Sequence, residues 1–98
     1  MRFDPTTVQR LKDLTLAYFK LDGVHHFTSG DLYVSAQVYE TLPDLHVSVH
    51  IMTERLDATP FTGHGETLEE ACDHVENIIN ECIKERKRFH ERSVQQVR

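Results

Sequence analysis

Histidine is the residue type in this sequence best suited to acid–base or metal chemistry, and the chain contains seven of them. His46 and His50 stand four residues apart in a strand-like stretch, about 13 Å at 3.3 Å per residue, which is too far to bind one ion. His25 and His26 would point to opposite faces of an extended segment. No Cys-x-x-Cys or His-Glu-x-x-His spacing occurs, so we expect no metal site and no cofactor. The remaining histidines stand alone in sequence: His64, His74 and His90.

Gly63, His64 and Gly65 precede a helical pattern, where backbone amides can receive an anion. The carboxylates of Glu66 and Glu69 follow at once and would repel phosphate, and the third glycine and the lysine of phosphate-binding motifs are missing. The favoured interpretation is a turn that leads into a helix. No Ser/His/Asp or Cys/His pairing is indicated by position, so we expect no catalytic residues and no enzyme.

The strongest charge feature is a cationic stretch near the end of the chain. Residues 1–83 contain five Lys or Arg and fourteen Asp or Glu, a net charge of −9, whereas residues 84–98 contain six Lys or Arg and two Glu, a net charge of +4. The acidic total excludes a globally basic nucleic-acid binder, but a local cationic helix can contact phosphate or an acidic partner. We give equal weight to the alternative interpretation that this stretch is a solvated helix end, whose cations complement the negative end of the helix dipole. We call residues 84–92 the basic segment, and its candidate binding residues are Lys84, Arg86, Lys87, Arg88 and Arg92.

A helix predicted to begin after Thr67 positions these candidates. Thr67 is suited to N-cap it, and the Glu70 carboxylate can reach back to the Thr67 amide in a capping box. Cys72 and Cys82 would lie about 15 Å apart along this helix, so they cannot form a disulfide within the chain and indicate a reduced, cytosolic protein. Apolar residues recur at helical spacing on one side: Leu68, Ala71, Cys72, Val75, Ile78, Ile79, Cys82, Ile83 and Phe89.

An earlier helix is predicted over residues 5–21, with Asp4 as N-cap, Pro5 in the first turn and Gly23 as the left-handed end. Leu16 and Phe19 fall off its apolar stripe, and we expect them to pack under a neighbouring loop rather than to form a partner surface. The stripe itself consists of Val8, Leu11, Leu14, Thr15, Tyr18 and Leu21. The cations that this helix could add to a binding surface are Arg10, Lys12 and Lys20.

Alternation of apolar and polar residues predicts strands over residues 31–41 and 45–54, joined by a turn at residues 41–44. An even-numbered loop pairs Val38 with Val47, which matches the two apolar faces. Short strands are also expected around residues 24–28 and 58–63. The outer face would carry tyrosines and histidines that either stack unpaired bases or are simply good strand formers, the interpretation we favour: Tyr33, Tyr39, His46 and His50.

Together these elements predict a two-layer α+β fold: a helix, an antiparallel sheet of three or four strands, and a long C-terminal helix. Ninety-eight residues are enough for one domain, which we place at residues 1–92, with residues 93–98 as a helical or frayed tail. No apolar run approaches the roughly 20 residues of a membrane helix, and the N-terminus lacks the apolar stretch of a signal peptide. We therefore expect a cytoplasmic protein that does not engage a membrane.

The helix–strands–helix order is that of the double-stranded-RNA-binding fold, but the second helix begins with Glu69-Glu70-Ala71 where that domain is basic. The sequence resembles more closely the ribosome hibernation-promoting factor family. Gly65-Glu66 leads into a helix with Ala71, Asp73, Ile78 and Ile79, the basic segment closes it, and the strand at residues 46–51 is similar to the family's third strand. The resemblance covers residues 8–92 loosely and implies docking on ribosomal RNA of the small ribosomal subunit, which inhibits translation by occupancy.

Two functional hypotheses follow. In the first, a non-enzymatic protein docks on structured RNA through the basic segment, with help from the cations of the first helix. In the second, the chain is an inhibitor or adaptor that binds a larger protein complex. There the long helix continues through Ser93, Val94 and Val97 as a docking arm or as the contact of a homodimer.

Overall fold

The computed structural model describes residues 2–41, 44–53 and 58–96. It confirms the predicted α+β architecture, in which an N-terminal helix and a long C-terminal helix pack against a three-stranded antiparallel sheet of order β1-β2-β3. In chain order the elements are helix α1 (Pro5–Leu21), a short 3₁₀ turn (Ser29–Asp31), strands β1 (Leu32–Thr41), β2 (Asp44–Thr53) and β3 (Ala58–Gly65), and helix α2 (Leu68–Gln96).

Helix α1 has the predicted bounds and the predicted ends. The Thr6 N–H donates to Asp4 Oδ1 at 3.0 Å, which satisfies one of the amides that a helix start leaves without a partner. At the other end Gly23 adopts φ +84°, a left-handed conformation that a side chain disfavours. The local signals at both ends were therefore sufficient to place this helix.

The buried face of α1 differs in part from the predicted stripe. Leu11 and Thr15 are buried as expected, and the Thr15 hydroxyl donates to the Leu11 carbonyl at 2.8 Å. Phe19 is buried as well, with its ring 5.2 Å from that of Phe27, in a small cluster completed by Leu32. The expectation that Phe19 packs under a neighbouring loop is confirmed.

The strand expected around residues 24–28 is absent, and the sheet in the described part of the chain has three strands rather than four. The Val24 N–H donates to the Phe19 carbonyl at 2.8 Å, so this segment folds back on the end of α1. Burial of Phe27 against Phe19 then holds it beneath the helix instead of in the sheet. A local tertiary contact has overridden the weak strand pattern.

The β1–β2 hairpin has the predicted register. Val38, Ala36 and Val34 lie opposite Val47, Val49 and Ile51, and the ladder of ten pairs contains no irregularity. The three residues of β2 are fully buried beneath the helices. The predicted turn at residues 41–44 falls mainly on residues 42 and 43, which lie outside the described residues.

Strand β3 confirms the short strand expected around residues 58–63 and continues to Gly65, so the prediction of a turn at residues 63–65 was wrong. A β-carbon on Gly63 would stand 2.5 Å from the Val75 nitrogen, and one on Gly65 would stand 2.7 Å from the Ala71 nitrogen. Both distances are shorter than real contacts allow, so the two glycines let α2 lie directly on the strand backbone. The two glycines are therefore strand residues at which the backbone of α2 packs directly against β3.

Helix α2 begins as predicted, with one hydrogen bond placed differently. The Glu70 N–H donates to Thr67 Oγ1 at 3.1 Å, but the Glu70 carboxylate accepts from the Glu66 N–H at 2.9 Å rather than from Thr67. The apolar stripe is half-buried or better as far as Ile83, whereas Phe89 is 59% exposed, which corrects its placement on the buried side. The main core consists of Leu11, Val47, Val49, Ile51, Phe61, Ala71, Cys72, Val75 and Ile79.

Candidate functional site

The two helices run parallel, and this sets where the candidate cations lie. An ion pair joins Arg10 of α1 to Glu76 of α2, and a second joins Asp22 to Arg86 at 2.9 Å, so residue numbers rise together along both helices. The C-terminal end of α1 therefore lies beside the basic segment. From that point α2 continues to Gln96, past the last residue of α1.

Arg86 is tied into the protein rather than presented to solvent. Besides the Asp22 ion pair, its guanidinium lies 6.0 Å from the centres of the Tyr18 and Phe89 rings. A side-chain hydrogen bond with Tyr18 and the charge of Asp22 both raise the pKa of Arg86. Its charge already has partners within the chain, and these contacts hold this side of the segment against the end of α1.

A second contact fixes the segment one turn further on. His90 Nε2 donates to the Leu21 carbonyl, with 2.6 Å between the two atoms. This carbonyl belongs to the last turn of α1, where the helix itself provides no N–H donor for it. Together with the Asp22–Arg86 ion pair, the bond holds one side of the basic segment against α1 and leaves the other side open.

The open side carries the remaining cations. At 100° per residue, Lys84, Lys87, Arg88 and Arg92 fall within an arc of about 140° opposite Arg86. Lys84 is 3.6 Å from Glu81, an exposed pair that stabilises little. Within the described residues Lys87, Arg88 and Arg92 are exposed and have no ion-pair partner. Glu91 is the one carboxylate of the basic segment in the same arc.

The cations of α1 lie at different distances from the basic segment. Lys20 is exposed in the last turn of α1, the end that lies beside the basic segment. Arg10 is paired with Glu76, ten residues and about 15 Å before Arg86 along α2, and Lys12 is only two residues further along α1. The structure thus brings Lys20 towards the basic segment and leaves Arg10 and Lys12 at a distance.

The outer face of the sheet is a separate surface. Tyr33 and Tyr39 are 41% and 46% exposed, and the Tyr39 ring lies 5.9 Å from the ring of His46. His50 is half-buried, with its ring nitrogens within hydrogen-bonding distance of Ser48 and Thr62. No Lys or Arg lies among the described residues of this face, and the helices cover the opposite one. The outer face therefore adds nothing to the charge of the basic segment.

Three histidines that are distant in sequence form a row that runs from β2 across β3 to α2. His46 Nε2 and His64 Nδ1 are 2.9 Å apart with their rings stacked at 5.0 Å, and the His64 N–H donates to His74 Nδ1 at 2.9 Å. In the described part of the chain no group of three or more His, Cys, Asp or Glu side chains has the arrangement of a metal site. Sequence reasoning missed this row because its members come from β2, β3 and α2.

A shallow depression of about 240 Å³ lies beside the basic segment, and the exposed Phe89 forms part of its wall. Burial raises the pKa of the Cys82 thiol in this wall, and burial likewise raises that of Cys72 in the core. A raised pKa disfavours the thiolate, which is the form in which a cysteine acts as a nucleophile. The full lining of the depression is Tyr18, Cys82, Glu85, Arg86 and Phe89.

Comparison with protein-family models, with curated proteins and with solved structures found no match for this chain. Among the described residues, neither helix combines the length and the apolar character that crossing a membrane requires.

Proposed function

We propose that this chain is a non-enzymatic protein that docks on structured RNA through the outward side of its basic segment. One observation carries the proposal: Lys87, Arg88 and Arg92 share one exposed face of α2 and have no ion-pair partner among the described residues. Cations with no internal partner are the groups that phosphates attract, because a contact with RNA costs no existing ion pair.

The acidic remainder of the chain restricts how the RNA can approach. Residues 1–83 carry a net charge of −9, so phosphates are repelled by most of the surface and attracted only at the helix end. A single face of one helix contacts few phosphates, so the expected footprint is small. Recognition then depends on the shape of a structured RNA rather than on a long duplex.

The partner that the family resemblance suggests is the small ribosomal subunit, and docking there would inhibit translation by occupancy. Within the proposed interface the residues have different roles. Lys87, Arg88 and Arg92 contact phosphate, with Lys84 and Lys20 at the margin. Arg86 and His90 act as positioning residues, because their polar groups are already engaged by Asp22 and by the Leu21 carbonyl.

A protein complex is the alternative partner, and Phe89 is the observation that favours it. Its ring is 59% exposed beside the shallow depression, and a large exposed aromatic side chain is typical of protein interfaces. In that case Phe89 is an aromatic anchor, and the cations around it form a solvated rim that contributes little to affinity. Binding would then depend mainly on Phe89 and only weakly on salt.

Charge reversal tests the proposal directly. Lys87→Glu/Arg88→Glu replaces two attractive contacts by repulsive ones and is expected to reduce binding to purified ribosomal subunits or to a structured ribosomal RNA fragment at least tenfold. The matched control is Arg2→Glu/Lys12→Glu, which changes the net charge equally but lies away from the basic segment. Equal loss of binding in both variants would show that net charge, not this surface, controls the association.

Salt dependence and Phe89→Ser separate RNA from protein docking. With RNA, the logarithm of the binding constant should fall by about 0.7–0.9 per phosphate contact per tenfold rise in salt, and Phe89→Ser should have little effect. A parent protein that binds no RNA, or whose binding is lost in Phe89→Ser and insensitive to salt, would overturn the RNA proposal.

A further inference from the structure

Exposed apolar surface concentrates on one strand of the sheet. Four large hydrophobic or aromatic side chains are exposed among the described residues, and three of them belong to β1: Tyr33 at 41%, Val38 at 44% and Tyr39 at 46%. Val38 lies on the face that β2 buries under the helices, yet it is left open. The helices pack mainly on β2 and β3, so the inner face of β1 is only partly covered.

The outer edge of β1 also presents unpaired backbone groups. The His64 N–H points away from β2, because it donates to the His74 side chain. His64 and the opposite residue, Ser48, therefore form a pair without hydrogen bonds between them. As a result, the backbone N–H and C=O groups of Ser48 point towards β1. Gln37, opposite Ser48, therefore bonds to β2. Because backbone direction alternates along a strand, the N–H and C=O groups of Val34, Ala36 and Val38 face the open edge.

The position of Leu32 supports this assignment independently. Its N–H donates to the Ser29 carbonyl, which lies outside the sheet, as expected for an even-numbered residue of β1. Beyond Leu32, no hydrogen bond from the described part of the chain covers this edge.

The opposite edge of the sheet is protected in three ways. Pro60 has no N–H to offer, the register shifts between Ile51 and Thr53, and the His74 side chain caps the His64 amide. Strand β1 has none of these devices: its ten residues contain no proline, lysine or arginine, and its ladder is regular. Such an edge is ready to pair with another strand.

We infer that β1 is the contact between two copies of this chain, paired antiparallel about a two-fold axis at Ala36. The axis stands perpendicular to the sheet, so two three-stranded sheets join into one of six strands with all four helices on the same side. Ala36 suits the axis because its backbone groups face the open edge and can exchange two hydrogen bonds with Ala36 of the second copy. The opposed residues are Leu32 with Glu40, Tyr33 with Tyr39, Val34 with Val38, Ser35 with Gln37, and Ala36 with itself.

The occupant is a second copy because β1 is complementary to itself in this register. On the inner face, Val34 meets Val38 of the second copy on both sides of Ala36, and these apolar pairs fill the strip that the helices leave uncovered. On the outer face two tyrosine pairs form. The one charged side chain of the strand interior, Glu40, meets Leu32 rather than another carboxylate, so no like charges are opposed.

Other antiparallel registers of the two β1 strands give fewer favourable side-chain pairs. Centring the pair on Val38 would place Ala36 opposite Glu40 and leave Tyr33 beyond the end of the second strand. Centring it on Val34 would leave Val38 and Tyr39 without partners, although they are the most exposed of the large hydrophobic and aromatic side chains of β1. Ala36 alone lies midway between the two tyrosines and between the two valines.

Sedimentation velocity on the full chain tests the inference, with Ala36→Pro as the first variant. Proline removes the edge-facing N–H of Ala36 without removing a bond to β2, so the dimer is expected to be lost while the circular dichroism spectrum is kept. The Phe89→Ser variant is the matched control, because it removes the exposed aromatic residue outside β1 and should remain dimeric.

A charge exchange tests the register and does not depend on how well proline is tolerated. Tyr33→Lys/Tyr39→Lys and Tyr33→Glu/Tyr39→Glu each oppose like charges across the two-fold axis, so each variant alone should be monomeric. Mixed in equal amounts, they should restore a particle of dimer mass, because residue 33 of one chain then meets the opposite charge at residue 39 of the other.

Clear outcomes would overturn the inference. The inference is wrong if the parent protein sediments as a monomer up to its solubility limit. It is also wrong if a folded Ala36→Pro variant remains dimeric. Dissociation by Phe89→Ser with no effect of the β1 variants would transfer the dimer contact to the helix end. None of these outcomes bears on RNA binding, which is measured on a different face.

Discussion

The first half of α2, residues 68–83, and the basic segment form one continuous helix, yet different forces hold them in place. The first half lies on β3, where two glycines allow the backbones to touch, and buries Ala71, Val75 and Ile79. Among the described residues, Arg86 and His90 hold the basic segment against the end of α1, and the rest of its circumference is exposed. The difference separates stability from binding: substitutions in the first half should unfold the protein, and those on the outward side of the second should change only what it binds.

The largest effect is expected for Val75→Asp in the first half. Val75 is fully buried against β3, and a carboxylate there would lose its hydration without gaining a partner, a cost of several kcal/mol in a domain with only about 5–15 to spare. We expect the variant to be unfolded by circular dichroism. Asn77→Asp, two residues away on the exposed side of the same helix, is the control and should melt like the parent. A folded Val75→Asp protein would contradict the packing of α2 on the sheet.

Gly63→Ala is expected to follow in size. The added methyl group would stand 2.5 Å from the Val75 nitrogen and 2.7 Å from the Ala71 carbonyl oxygen, both backbone atoms, so the helix must move away from the strand. Overpacking of this kind costs about 1–3 kcal/mol, occasionally more, and would lower the urea midpoint accordingly. Gly30→Ala makes the same substitution where the nearest atom is 3.7 Å away, and it should leave the midpoint nearly unchanged. Equal effects would show that loss of glycine flexibility, not the helix contact, is responsible.

The β1–β2 hairpin was predictable from the sequence, whereas the packing role of the two glycines in β3 was not predicted. The hairpin register followed from alternation and an even loop, because shifting it by one residue would place Val34, Ala36 and Val38 opposite outward-facing residues of β2 instead of Ile51, Val49 and Val47. The glycines were assigned to a turn because a lone Gly-x-Gly has several uses. A sequence signal for their real role exists: Phe61, Gly63 and Gly65 share one face of a strand, and that face must meet a helix.

Features that depend on two distant elements were beyond the sequence. The burial of Phe19 depends on Phe27 folding back beneath it, and the histidine row depends on the register of β3 and on the rotation of α2. The same holds for the basic segment. The sequence identified eight cations of the basic segment and α1 as candidate binding residues. Only the parallel packing of the two helices shows that Arg10 and Arg86 already have ion-pair partners.

A smaller effect is expected at the start of α2. Thr67→Ala removes the hydroxyl that accepts from the Glu70 N–H at 3.1 Å, and loss of such a cap costs about 1 kcal/mol, with a correspondingly lower melting temperature. Thr67→Ser keeps the acceptor and should restore most of the stability. If serine were no better than alanine, the cap would contribute nothing and packing on the glycines would be what fixes the start of the helix.

The smallest effect on stability, and the sharpest test of the contrast, is expected for Arg86→Gln. This change removes the ion pair with Asp22 and the cation that lies near the Tyr18 ring, but it leaves the contacts of residues 68–83 untouched. The melting temperature should barely change, whereas amide hydrogen exchange across residues 84–92 should accelerate, because this side of the segment is held only by Arg86 and His90 among the described contacts. Lys84→Gln removes the same charge from the outward side, where the nearest carboxylate is 3.6 Å away and exposed, and should leave the exchange rates as they are. If Lys84→Gln accelerated exchange as much as Arg86→Gln, a general loss of positive charge would explain the result, and Arg86 would no longer be a positioning residue.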